Sequence, residues 1–415
     1  MAAIEPANAR PGVPALMILL MALNIAASVD RMIFAVLAPV MQPALHLSNP
    51  QLGMIQGPAF ALPYAAALPV AGWCVDRWSA RRMLVGSIAI WTAGLALSAT
   101  ASGLLPMIAG RAACGVGQSA LLPIAFHLIG GGIRPDRVGR AIALLTGAGT
   151  LGRSAAFAIG GLLLTGFAGL GIGGAWAYTL MVLAGANLAL LALVIGLSFP
   201  DAPPDASPRM GVAATDPTAP RSPALVTTTV VTALGPVVIV QAVTGWVAST
   251  LTQAHRLPPS RAAGLIAIAT LASPIGHFAG GWAMDRVGAR RRPAGVVQAL
   301  LLLLCIPAVI ALSWSGSLGV ALAGVAALMM FAGAGSVAGL ARVQRLASPP
   351  MRGATNGLFL LLVNVIGVGG GPLAVGLLAT DGRQVGVALV VVVTVTATIA
   401  AVGALRTSMI EIKAR

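Results

Sequence analysis

GWCVDRWSARR, residues Gly72–Arg82, returns as GWAMDRVGARR, Gly281–Arg291, in the same register and about half of the 415-residue chain later. In both copies a long apolar run ends at Gly-Trp, an Asp-Arg pair follows, and a basic cluster precedes the next apolar run. This pattern reads as a tight polar turn between two membrane helices, used twice in a chain of two like halves, as internally repeated transporters are built. Gly72 and Gly281 are expected to permit close helix approach. Asp76 and Asp285 are expected to accept hydrogen bonds from a helix N-terminus, or to pair with Arg77, Arg81 and Arg82 and with Arg286, Arg290 and Arg291. Together these residues form a candidate gate on one membrane face; the plainer reading is a basic anchor at that face.

Composition sets the solvent. Charged residues are 8% of the chain and hydrophobic residues 58%, whereas soluble domains carry about 25% charged residues. The chain is therefore expected to be an all-α integral membrane protein whose partners are the lipid bilayer and a small-molecule or lipid-like substrate. A net charge of +15 would suggest nucleic acid in a soluble chain, but the positions of the charges explain it without a nucleic-acid partner. Cys74, Cys114 and Cys305 lie within or at the ends of apolar runs and form no paired framework. The N-terminal MAAIEPANARPG leads into an apolar run too long for a signal-peptide core and containing Asp30, so it reads as a retained first span.

Breaks at polar or Gly/Pro clusters place membrane spans near 14–41, 51–75, 83–103, 105–131, 138–166 and 175–199, then 224–253, 261–284, 294–314, 318–344, 353–380 and 385–406. That is twelve spans. Residues 1–13 and 407–415 read as tails, and 200–223, rich in Pro, Asp, Ser and Ala, reads as a linker between bundles 14–199 and 224–406. If the N-terminus is cytoplasmic, eighteen basic residues fall on inside segments, and only Arg256, Arg261 and Arg383 on outside ones. This positive-inside bias puts both termini and the linker in the cytoplasm, in a bacterial inner membrane. A monomer is expected.

Four basic residues, Arg31, Arg111, Arg153 and Arg342, lie outside that account. Of ten acids only Asp30 lies deep in a span. A charge at the bilayer centre costs about 2.5–3.5 kcal/mol on insertion scales, so such residues usually face a cavity and have a function. Asp30 is therefore the candidate proton-coupling residue, with a structural ion pair as the alternative. Adjacent helical residues diverge, so Arg31 falls on a stripe with Asn24 and Ser28, Asp30 on one with Leu23, Ala26, Phe34 and Leu37, and the two answer to different neighbouring helices. Arg111 and Arg153 are candidate counter-charges to Asp30 or to an anionic substrate. Arg342, near a cytoplasmic end, reads as a snorkelling side chain. Gln118, His127, Gln241, His277 and Asn364 either line a cavity or bridge helices. The two histidines are too isolated for a metal site.

Gly147, Gly152, Ala156 and Gly160 in the fifth span, and Gly367, Gly371, Pro372 and Gly376 in the eleventh, allow close packing or rocking of bundles. No strand or P-loop lysine accompanies them, so they are not a nucleotide loop, and no cofactor is expected. An intramembrane enzyme would need converging nucleophile, base or metal ligands, and the spans offer one acid and scattered histidines, so no catalytic residue is assigned. A sensor that has lost transport would be expected to bring an added soluble domain.

Twelve spans in two halves, a central linker and the repeated Gly72–Arg82 turn resemble the major facilitator superfamily. Within it LNIAASVDRMIFAVLAP, RAACGVGQSALLPIA and QRLASPPMRGATNGLFLLLVNVIGVGGGP are similar to runs of the spinster-like transporters. The resemblance implies two pseudo-symmetric six-helix bundles and a secondary carrier working by alternating access, for lysolipid-like amphiphiles or organic anions. It also implies that Asp30 and Arg31 match the family's first-span pair, and that Arg111, Gly115 and Gly117 match its fourth-span motif. This chain departs from the family in having Gln118 where a glutamate often follows GVG. It also has Ser154, Ala155, Ala156 and Phe157 where antiporters of the superfamily carry Gly-Pro. An uncoupled facilitator or a multidrug exporter is the alternative.

Overall fold

The computed structural model describes residues 12–75, 77–134, 137–171, 173–197, 223–289, 294–346, 352–380 and 384–413. Among them there is no strand, and twelve helical spans are long and apolar enough to cross a membrane. Spans 1 to 6 are α1 (Val13–Ala44), α2 (Asn49–Gln56) with α3 (Pro58–Val75), α4 (Ala80–Ala99), α5 (Leu104–Ser119) with α6 (Leu121–Gly132), α7 (Val138–Gly169) and α8 (Ala175–Gly196). Spans 7 to 12 are α9 (Pro223–His255), α10 (Pro259–Thr270) with α11 (Ala272–Ala289), α12 (Ala294–Trp314), α13 (Leu318–Leu346), then α14 (Arg352–Leu362) with a π segment (Val363–Gly370) and α15 (Gly371–Leu378), and finally α16 (Val385–Lys413). The expected linker, 200–223, lies almost wholly outside the described residues, as do residues 1–11.

Four spans are broken, each beside a proline. A proline cannot donate to the carbonyl four residues earlier and clashes with it. Pro58, Pro123, Pro274 and Pro372 therefore sit at or just beyond the breaks in spans 2, 4, 8 and 11. Span 2 also starts firmly. Ser48 caps α2, its Oγ accepting from the Gln51 amide while Gln51 Oε1 accepts from the Ser48 amide, a reciprocal box that satisfies two otherwise orphaned donors. The last span runs on helically to Lys413, beyond the expected boundary at 406. Thr407 and Ser408 are buried within it.

Packing divides the chain into two compact units. One gathers the described residues of Met1–Arg31, Leu62–Arg153 and Trp176–Gly211; the other gathers those of Met32–Ala61, Ser154–Ala175 and Val212–Arg415. The first has a core of Leu16, Leu20, Leu84, Ile88, Trp91 and Ile124. The second contains both second-half helices and the ends of spans 1, 2 and 5 that lie away from the Gly72–Arg82 turn. There Asn49 Nδ2 donates to the Ala379 carbonyl at 2.7 Å and accepts at Oδ1 from Gln42 Nε2 at 2.7 Å. A Cβ added to Gly53 would stand 2.8 Å from the Pro372 carbonyl oxygen, and one added to Gly161 3.0 Å from that of Ser260. Trp246 Nε1 donates to the Pro372 carbonyl at 2.9 Å, and a Cβ added to Gly371 would stand 2.8 Å from the Val238 carbonyl oxygen, so span 11 lies close against spans 2 and 7.

Candidate functional site

Asp30 is buried midway along α1, 2% exposed. Its Oδ2 accepts a 2.6 Å hydrogen bond from Asn187 Nδ2 on α8, and its charge interacts with that of Arg111 on α5, which is fully buried. Arg31, one residue on, points elsewhere. Its Nη2 donates to Gln118 Oε1 at 3.4 Å, and its guanidinium lies 5.6 Å from the Tyr64 ring centroid on α3. Arg31 also interacts electrostatically with Arg111 and with Arg153 on α7. One carboxylate and three guanidinium groups thus share a single low-dielectric region inside the first unit. Like charges repel one another across such a region, and Asp30 offsets part of that repulsion at Arg111.

Small residues put these groups there. Cβ atoms at Gly94 and Gly110 would each fall 2.6 Å from the other's carbonyl oxygen, and one at Gly117 would fall 2.6 Å from the Trp91 nitrogen. Glycine at these positions lets α4 and α5 touch along their backbones, which sinks Arg111 to full burial. Ser87 Oγ adds a 2.6 Å bond to the Gly117 carbonyl. On the other side α7 lies on α1: a Cβ at Gly152 would meet Ser28 Cβ at 2.6 Å, and one at Gly160 would meet Val36 Cγ1 at 2.7 Å. Gly147, assigned to the same stripe by sequence, meets nothing within 4 Å; Gly149, two residues on, faces Asn24 Nδ2 at 2.9 Å.

The remaining candidates fall in different places. Asn24 Nδ2 donates to the Leu145 carbonyl at 2.7 Å, so it ties α1 to α7. His127 is buried on α6, and His277 Nδ1 lies 2.7 Å from the Ser273 carbonyl oxygen one turn earlier. Gln241 and Asn364 belong to the second unit. Gln241 packs beside Gly371, and Asn364, in the π segment, donates from Nδ2 to the Leu360 carbonyl of α14 at 2.8 Å. A π turn at a polar residue often marks a functional position. Arg342 does not snorkel: it is 1% exposed, donates through Nη1 to Gln298 Oε1 at 2.9 Å, and reaches Thr407 Oγ1 through Nη2. Those polar partners on spans 9 and 12 hold it inside, and they are why α16 stays packed past residue 406. Asn187, Tyr64, Gln298 and Thr407 went unread in the sequence; an amide in the apolar run LAGANLALLAL was the available signal for Asn187. Among the described residues no group of three or more His, Cys, Asp or Glu could hold a metal.

The repeated turn differs between its copies. In the first, α3 stops at Val75, the Arg77 and Trp78 amides donate to the Cys74 carbonyl, and α4 begins at Ala80. In the second, α11 runs on through Asp285 and Arg286 to Ala289, so Asp285 sits on an exposed helix end and not in a tight turn. Asp76, Arg290 and Arg291 lie outside the described residues. Neither motif glycine serves close approach, because a Cβ at Gly72 or Gly281 would meet nothing within 4 Å. What the copies share is an aromatic stack four residues apart: Arg77 lies 4.3 Å from the Trp73 ring centroid and Arg286 3.6 Å from that of Trp282. Such pairs are worth about 0.5–1 kcal/mol at exposed sites, and half-exposed tryptophans suit a membrane interface. Arg81 reaches the Ile195 carbonyl on α8, and Arg82 is exposed.

Residues 20–372 match the Major Facilitator Superfamily. The chain belongs to that family. This major facilitator is therefore a membrane transporter and not an enzyme, and its fold has close counterparts among solved structures. A bacterial homolog of the human lysosomal transporter Spinster, inward-facing and occupied, superposes with a TM-score of 0.82 at 20% identity over 97% of this chain and 98% of that one. The nucleoside transporter NupG gives 0.71 at 15% identity over 94% and 98%. By sequence, the Multidrug resistance protein B homolog of Mycobacterium tuberculosis is 31% identical over 148 residues, 36% of this chain. The Probable sulfoacetate transporter SauU of Cupriavidus necator is 31% identical over 99 residues, 24% of this chain. These matches span only about a quarter of the relatives' own lengths, 26% and 23%.

Proposed function

We propose that this major facilitator moves a small organic anion, amphipathic or acidic, by alternating access, with Asp30 carrying the coupling proton. The observation behind this is the group of buried Asp30 and Arg111 with half-buried Arg31 and Arg153, one acid with three cations. A guanidinium engages a carboxylate, sulfonate or phosphate through a bidentate fork. An anion arriving at Arg111 competes with Asp30 for the same cation. Substrate binding then favours proton uptake at Asp30, and substrate release favours proton loss. With glutamine at position 118, one carboxylate carries the exchange. The printed name of the Cupriavidus relative, a probable sulfoacetate transporter, favours an anionic substrate. The drug-exporter reading rests on the name of the Mycobacterium relative, and three guanidinium groups beside one carboxylate argue against a cationic drug. The Arg-rich turns, both termini and the linker are assigned to the cytoplasmic face of a bacterial inner membrane, and the carrier to a monomer.

The test is transport by purified protein in proteoliposomes, after thermal-shift screening of lysolipids and organic anions has supplied a ligand. Wild type is expected to accumulate that ligand on an imposed proton gradient. Asp30→Asn is expected to lose accumulation and pH dependence while still exchanging substrate. If the variant accumulates as wild type does, Asp30 is only an ion-pair partner and coupling lies elsewhere.

A further inference from the structure

A groove of about 700 Å³ opens between α3, α4 and α5 at the end that carries the Gly72–Arg82 turn, and it includes none of Asp30, Arg31, Arg111 or Arg153. Its walls are apolar and open outward: Val70 and Trp78 are each 61% exposed, Ile90 44% and Val116 42%. Its mouth is cationic, formed by Arg77 and Arg82. Arg77 is held there by its stack on Trp73 and by a 3.1 Å hydrogen bond from Nη1 to the Trp73 carbonyl. Gly86 lines the groove with open space where a side chain would stand. Tryptophan at the interface, arginine at headgroup depth and an apolar trough running below them follow the polarity profile of a phospholipid.

We infer that this groove binds an anionic diacyl phospholipid, its phosphodiester on Arg77 and Arg82 and one acyl chain along Val70, Ile90 and Val116. Charge complementarity selects the occupant. Any lipid tail suits the walls, but two guanidinium groups at the mouth distinguish an anionic headgroup from a zwitterionic one, and basic pockets between membrane helices on the cytoplasmic side recognise such headgroups. The site lies on the side of the first unit where the turn meets α4, so an occupied groove braces that turn from the lipid side. The inference goes beyond the transport reading and stands whether or not Asp30 carries a proton.

Trp78 reports the site directly. Full-length protein is reconstituted in phosphatidylcholine vesicles containing equal fractions of brominated phosphatidylglycerol or brominated phosphatidylcholine, and the Trp78 contribution is isolated by subtracting a Trp78→Phe variant. Brominated phosphatidylglycerol is expected to quench Trp78 more strongly, with the preference falling on the order of 30-fold in the Arg77→Gln/Arg82→Gln double variant. Gly86→Leu, which fills the trough and leaves the arginines in place, is expected to reduce quenching by both lipids. Equal quenching by the two lipids in wild type overturns the inference. So does a preference that survives both variants, or one that inorganic phosphate removes while chloride at matched ionic strength does not, since the mouth then reads free phosphate and not a lipid.

Discussion

Two arginines are buried in this protein to the same degree, Arg111 at 0% and Arg342 at 1% exposure, and their surroundings differ in kind. Arg111 stands in the field of a carboxylate, Asp30, and of a second guanidinium, Arg31. Arg342 is bonded to an amide oxygen of Gln298 and a hydroxyl of Thr407, and Gln298 passes the chain on to the Thr232 carbonyl at 3.3 Å. Burial is equally costly for both cations. The first sits beside Asp30, a group able to exchange a proton, and beside a second cation whose repulsion an incoming anion relieves. Burial alone therefore does not separate the two: the Arg342 network joins spans 7, 9, 10 and 12, whereas the Arg111 group is the one to which the proposed function assigns a change of state.

The sharpest way to break this contrast is to remove each cation in turn. Arg111→Gln is expected to lower transport at least about 100-fold, which corresponds to roughly 2.7 kcal/mol of lost substrate or transition-state interaction. Arg342→Gln is expected to leave transport within about threefold of wild type and to lower the thermal unfolding midpoint, because a buried network loses a member. Similar transport losses in both variants, measured in the same proteoliposomes, would erase the distinction. A smaller effect is expected at the amide that holds the carboxylate. Asn187→Leu removes a donor to the ionised form of Asp30 and a hydrogen bond to a charged group is worth about 1.5–3 kcal/mol. The pH profile of exchange is therefore expected to change. Gln298→Leu, the matching change beside Arg342, is expected to leave that profile in place. A profile unmoved by Asn187→Leu would mean that Asp30 does not set it.

Twelve spans, their approximate limits and the isolated Asp30 were legible in the sequence because apolar runs and rare charges are local signals. What Asp30 touches was not legible. Asn187 lies 157 positions away, and nothing in a helical stripe says which of several neighbouring helices a side chain will meet. The snorkelling reading of Arg342 failed for the same reason: position along a span gives depth in the membrane, but only packing shows Gln298 and Thr407 waiting inside. Breaks at Pro58, Pro123, Pro274 and Pro372 were readable in principle from the chemistry of proline, whereas the π segment at Val363–Gly370 depends on how spans 2 and 7 press against it. Span 12 was ended at a basic residue, Arg406, and its helical extension is fixed by long-range contact with Arg342.

The smallest expected effect concerns the repeated turn, where sequence and structure assign the same residues different work. Gly281 opens the second copy of the turn and Gly117 lies in the fourth-span motif, yet a Cβ at Gly117 would fall 2.6 Å from the Trp91 nitrogen and 2.8 Å from the Ser87 oxygen, and one at Gly281 would meet nothing within 4 Å. Backbone atoms cannot swing aside as a side chain can. Gly117→Ala is therefore expected to force α4 and α5 apart at a cost of about 1–3 kcal/mol, and to weaken transport by disturbing Arg111. Gly281→Ala and Gly72→Ala lie in helix interiors with open space beside them, where alanine is favoured over glycine by roughly 0.5–1 kcal/mol. They are expected to leave thermal unfolding unchanged or slightly raised. Trp282→Leu, which removes the stack on Arg286, is expected to cost about 0.5–1 kcal/mol in the same measurement. The ordering Gly117, then Trp282, then Gly281 follows from the geometry alone. If Gly281→Ala proves as damaging as Gly117→Ala, the motif glycine faces a helix in another conformation of the transport cycle, and the close approach read from the sequence belongs to that conformation.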